Sequence, residues 1–173
     1  MIFLEREDKI MQNTGIRWIT RTGILLAIAL VFQMGGLPQL ITGPLVNTIL
    51  YLSAMIVGWP GGVLIGIFTP VIAAIRGILP PPLAPLIPFI ALGNAVLVVL
   101  FYWLKSKSKI LGIFVASIVK FLVLATAVNL LVQVPPPVAQ MMSFPQALTA
   151  LAGGVIALLA ERALGSSGLN IFD

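Results

Sequence analysis

Histidine and cysteine are both absent from the 173 residues, and acidic residues number only five. The first absence removes the commonest general base and the commonest transition-metal ligand. The second removes any disulfide framework or thiolate chemistry. Charge of either sign is scarce: 9% of residues are charged and 60% hydrophobic, with a mean hydropathy of +1.13. No Asp, Glu, Lys or Arg occurs in 22–75, 77–104 or 121–160. A soluble domain needs a charged surface. Charge-free stretches of this length belong where the solvent is lipid. The net charge of +5 does not point to nucleic acid, because the charges are placed by topology. No Walker A motif is present to hold a nucleotide. The opening residues, MIFLEREDKIMQNTG, mix charges and lack the apolar core of a secretory signal.

What remains is a chain that prolines, glycines and charges divide into six apolar segments. Runs such as ILLAIALVF and AVLVVLF lack the alternation of a membrane-spanning strand. The fold class is therefore all-α, an integral membrane bundle of six transmembrane helices. The spans are expected at about 16–37, 44–59, 61–79, 84–104, 109–133 and 145–164, with Asn13 or Thr14 capping the first. Together they form a domain over 16–165. A short cytoplasmic segment, 1–15, precedes it and a short tail, 166–173, follows.

Lysine and arginine set the orientation. Arg6, Lys9, Arg17, Arg21, Lys105, Lys107, Lys109 and Arg162 fall at one set of helix ends. The opposite loops, LPQLITG and VPPPVAQMMSF, carry none. Both termini are thus expected in the cytoplasm, with the protein in the plasma membrane. Trp18, Trp59 and Trp103 then lie near the inner interface, where indoles are favoured. Eleven of the thirteen prolines, including both PPP triplets, fall on the outer side. Proline fixes φ and favours stiff polyproline II segments, so a rigid outer surface is expected.

Polar side chains in lipid carry information because each needs a partner. Gln33, Asn47, Asn94, Asn129 and Gln133 all fall in the middle or outer part of their spans, and Arg76 ends the third span. Singly, an amide of this kind is glue between helices. Jointly, five amides from four helices outline a pocket that opens outward. Arg76 either snorkels to water or grips a carboxylate or phosphate over the mouth of that pocket. Phe32, Tyr51, Phe68, Phe89 and Phe144 are available for stacking. Lys120 lies nine residues from Asn129, on the opposite face of the same helix, and so is expected outside the pocket. No acid is available within a span to couple transport to protons or sodium. Transport is then either passive or driven by another subunit. Small residues four apart, Gly23 and Ala27, Gly62 and Gly66, Ala150 and Gly154, mark faces where helices can approach closely.

The segments TGPLVNTILYLSAMIVGWPGG and RGILPPPLAPLIPFIALGNAV resemble the second-to-fourth helix region of S components. These are the substrate-binding membrane subunits of energy-coupling factor (ECF) transporters. The resemblance implies a pocket near the outer surface for a vitamin or related small molecule. It also implies docking onto a transmembrane T subunit coupled to two ATPase subunits, and toppling of the S component during transport. The family's Ala-x-x-x-Ala docking motif is matched here by Gly23 and Ala27, with glycine in place of the first alanine. The cobalt and nickel members use a histidine-containing segment, which this chain lacks, so that substrate class is not expected; no metal site or cofactor is expected either. The expected substrate-binding residues are Gln33, Asn47, Arg76, Asn94, Asn129 and Gln133, acting on a small molecule with an anionic or hydrogen-bonding head. A passive channel or facilitator is the alternative. An intramembrane enzyme ranks last, since no histidine, cysteine or spanning carboxylate is present to do chemistry.

Overall fold

A computed structural model describes the backbone of residues 2–79 and 81–166, with side chains from Thr14 onward. Pro80, the side chains of Arg6, Lys9 and Asn13, and the tail from residue 167 lie outside the described residues.

Among the described residues all regular structure is helical. α1 runs over Ile2–Met34, so the helix passes through Asn13 and Thr14 rather than starting there. Its apolar part, Thr14–Met34, is the first of six helical segments long and apolar enough to cross a membrane. α2 (Gln39–Ile56) begins five residues before Pro44, which was expected to open it. At about 1.5 Å per residue, its 18 residues reach roughly 27 Å, close to the thickness of a bilayer core. α3 (Gly58–Ile75) follows after the single residue Val57. Gly58 makes this tight turn with φ at +76°, in the left-handed region open to glycine. The indole N–H of Trp18 donates to the Val57 carbonyl at 2.8 Å, pinning α1 to the turn.

The prolines at the far end behave differently from the expected extended segments. Pro81–Leu86 is a 3-10 helix leading into α4 (Ile87–Leu104). Pro136 opens the short helix α6 (Pro136–Met141). A φ near −65° suits the first turn of a helix as well as polyproline II, and here the first turn prevails. Among the described prolines outside helices, the caps Pro38 and Pro135 take polyproline-like angles. α5 (Lys109–Thr126) continues through a π-helical turn, Ala127–Leu131. α7 (Phe144–Ser166) completes the bundle.

α2 is the central helix, with 56% of its span buried against 17% for that of α1. Its closest neighbour is α7. Glycine permits that approach: a Cβ on Gly153 would stand 2.6 Å from the Asn47 Cβ and 2.7 Å from the Pro44 carbonyl oxygen. α3 meets α4 in the same way, through Gly62 against Val98 and Gly66 against Asn94. The main core joins Tyr51, Phe101, Leu97, Val98, Ile65 and Ala116. Tyr51 and Phe101 pack edge to face with centroids 4.8 Å apart. A second apolar cluster (Leu83, Leu86, Ala127, Val128 and Met142) ties the 3-10 helix, the π turn and the α6–α7 junction together at the proline-rich end.

Candidate functional site

Between the main core and the second apolar cluster lies a cavity of about 70 Å³. That is room for a few water molecules, well below the size of a drug-sized ligand pocket. All six spans contribute to it. Gln33 comes from α1, Thr42, Val46 and Asn47 from α2, and Thr69 and Pro70 from α3. Asn94 comes from α4, Lys120 from α5 and Gln146 from α7, while Leu79, Leu83 and Met142 close it toward the proline-rich end.

The floor is built around Lys120, which is only 4% exposed. Its ammonium donates to Asn47 Oδ1 at 2.6 Å and to Asn94 Oδ1 at 2.7 Å. Each partner is positioned by a local sequence feature. Pro70 has no N–H, so the carbonyl of Gly66, four residues earlier, loses its helical partner. Asn94 Nδ2 donates to that carbonyl at 3.0 Å, which turns the amide oxygen of Asn94 toward Lys120. Gly66 must be bare for this, since a Cβ there would lie 2.9 Å from the Asn94 Cβ. Gly153 leaves the corresponding room for Asn47. Gly93 on α4 lies against the Lys120 stem, whose Cγ would stand 3.4 Å from a Cβ at that position, an ordinary contact.

The other polar groups divide into satisfied and unsatisfied. Thr69 bonds the Ile65 carbonyl at 2.6 Å and Thr42 the Leu37 carbonyl at 2.9 Å. Gln146 makes long contacts to the Met141 carbonyl and the Met142 sulfur. Gln33 Oε1 is buried with no hydrogen-bond partner among the described residues. Among the described residues no carboxylate, imidazole or thiolate lines the cavity, so a cation would find neutral oxygens beside an ammonium.

The expected site residues separate into two groups. Gln33, Asn47 and Asn94 meet at the cavity. Arg76, Asn129 and Gln133 are exposed and do not line it. Arg76 caps the end of α3. Asn129 folds back onto its own helix, donating to the Ala125 carbonyl at 2.7 Å. Gln133 lies past the π turn, after the chain has become extended at Val132. Lys120 corrects the expectation from the opposite side: it does face away from Asn129, and that face is the one turned toward the cavity. A signal was present in the sequence. Gly112, Ile113, Ala116, Ser117, Lys120 and Leu124 form one buried stripe, and its small residues mark the packed side of α5. Gln39 and Gln146 also line the cavity and had not been singled out. None of the five aromatics proposed for stacking lines it. Tyr51 instead lies in the core, with its hydroxyl 2.9 Å from Ser117 Oγ, and Phe68 and Phe144 are exposed.

The three small-residue pairs diverge as well. Gly62 and Gly66 are taken up against α4, while Ala150 is fully buried and Gly154 abuts Ile113 of α5. Gly23 and Ala27 are exposed, and nothing lies within 4 Å of a Cβ placed on Gly23.

Comparison with known families settles the class. The model of the ECF transporter substrate-specific component matches residues 17–161, which covers the four middle spans whole and most of the first and last. The chain belongs to that family. No curated protein and no solved structure matches it significantly. An S component is a multi-pass membrane subunit that binds substrate and is not an enzyme, and its family implies a T subunit and ATPases as partners.

Proposed function

We propose that this S component captures a small, vitamin-like molecule in the cavity above Lys120 and delivers it to an ATP-driven ECF module. The convergence of all six spans on one polar cavity, with Gln33 Oε1 left without a partner, carries this reading. The proline-rich end faces outward and both termini face the cytoplasm. In support, Arg17, Arg21, Lys105, Lys107, Lys109 and Arg162 cluster at the other end, as the positive-inside rule requires, while Arg76 lies at the proline-rich end and Lys120 within a span. The α1 face bearing Gly23 and Ala27 docks the T subunit, because of the three small-residue pairs it is the one left open by packing among the described residues. Two ATPase subunits supply the energy, for which this chain has neither a nucleotide motif nor a spanning acid. At about 70 Å³ the cavity describes a closed state, and the second apolar cluster must shift to admit a larger ligand.

Reconstitution tests the proposal. Proteoliposomes holding the chain with a T subunit and two ATPases are expected to accumulate a compound from a metabolite extract only when ATP is supplied. Accumulation by the chain alone, without ATP, would instead make it a facilitator.

A further inference from the structure

Lys120 is buried, yet its charge has no counterion among the described residues. Asp and Glu occur only at Glu5, Glu7, Asp8, Glu161 and Asp173. Four of these flank the spanning region. Glu161 is committed to Lys109 at 2.6 Å. Lys120 lies eleven residues further along α5, roughly 16 Å from that pair. Both of its bonded partners are neutral amide oxygens. An ammonium has three N–H donors, so one remains, on a group that lines the cavity. A buried charge is strongly unfavourable unless it is paired. The cavity is thus short of one negative charge and one acceptor, and at Gln33 Oε1 it is short of one donor.

We infer that the captured molecule is a small monocarboxylate. Its carboxylate accepts from Lys120, and an N–H or O–H elsewhere on the same molecule donates to Gln33 Oε1. This rests on the cavity being the capture site and adds the chemical class of its occupant. A neutral molecule would leave the ammonium uncompensated, and a cation would be repelled by it. A phosphate monoester is close to doubly charged near neutral pH. It would bring surplus negative charge to a single cation in a place where helical backbone N–H groups are already engaged. One carboxylate balances one ammonium.

The test uses the full chain in lipid nanodiscs, incubated with a cell metabolite extract, washed and denatured. Released compounds are measured by mass spectrometry. Wild type is compared with Lys120→Met, with Asn47→Asp, which supplies an internal counterion where Lys120 now meets an amide, and with Val46→Trp, which fills the cavity. A parallel extract is methyl-esterified to remove carboxylate charge. Wild type is expected to retain a monocarboxylate that Val46→Trp loses and whose methyl ester is not retained. Retention should fall on the order of 10- to 100-fold in both charge variants, the range of a charge-assisted hydrogen bond. Asn47→Asp preserves side-chain volume, so it decides the matter if Lys120→Met does not fold. A retained compound without a carboxylate, or undiminished retention by Asn47→Asp, overturns the inference while leaving capture in the cavity intact. If Val46→Trp displaces nothing, the cavity is not the capture site, and both readings fall.

Discussion

Gly153→Ala is the most demanding test of how the cavity floor is assembled. The added Cβ would sit 2.6 Å from the Asn47 Cβ, 2.7 Å from the Pro44 oxygen and 2.9 Å from the Thr48 nitrogen. Carbon atoms in good contact stand about 3.5–4.0 Å apart, so α7 must withdraw from α2 by roughly 1 Å. Two of the three obstacles are backbone atoms, which no change of rotamer can move. Overpacking of this kind costs about 1–3 kcal/mol. The same withdrawal stretches the longer branch of a shared bond, since Thr48 Oγ1 donates to the Pro44 carbonyl at 2.8 Å as well as to the Gly153 carbonyl at 3.1 Å, and so adds little to the overpacking. The loss is about 1–3 kcal/mol, a fall in melting temperature of roughly 2–12 °C. Asn47 is carried along, lengthening its 2.6 Å bond to Lys120, so ligand retention should fall too. Thermal unfolding in detergent, followed by size-exclusion fluorescence, reads the first effect. Gly23→Ala is the matched control: nothing lies within 4 Å, and the melt should stay unchanged or rise slightly as helix propensity improves. Equal melts for Gly153→Ala and wild type would refute the argument that α2 and α7 owe their contact to this glycine.

Other perturbations bear on separate links. Asn94→Leu removes both the acceptor for Lys120 and the donor to the Gly66 carbonyl, so retention of ligand should fall at least about tenfold. Arg76→Ala should leave retention at the wild-type level, because the guanidinium lies outside the cavity lining; a comparable loss would return arginine to the site. Gly23→Leu should leave the melt of the isolated chain intact while abolishing co-purification with the T subunit. Lys105 donates to the Ala54 carbonyl near the end of α2 at 3.0 Å, and burial, aided by repulsion from Lys109, lowers its pKa below the usual lysine value. Lys105→Met should therefore destabilise by about 0.5–1.5 kcal/mol, seen as a lower melting temperature.

The six-helix membrane bundle is legible along the chain, because charge-free stretches of span length have no stable home in water. The sequence also made Gln33, Asn47 and Asn94 conspicuous, since each amide in lipid must find a partner. Tertiary structure alone decided which polar groups face one another. Asn129 satisfies itself on the Ala125 carbonyl of its own helix, an option that no spacing pattern reveals. Lys120 looked isolated along the chain, yet it finds its acceptors 73 and 26 residues away. Those acceptors meet it because Gly66 and Gly153 let α3 close on α4, and α7 on α2, to distances that side chains would forbid. Hydropathy is a property of a segment and can be read along the chain. Proximity belongs to pairs of helices and arises only when they pack.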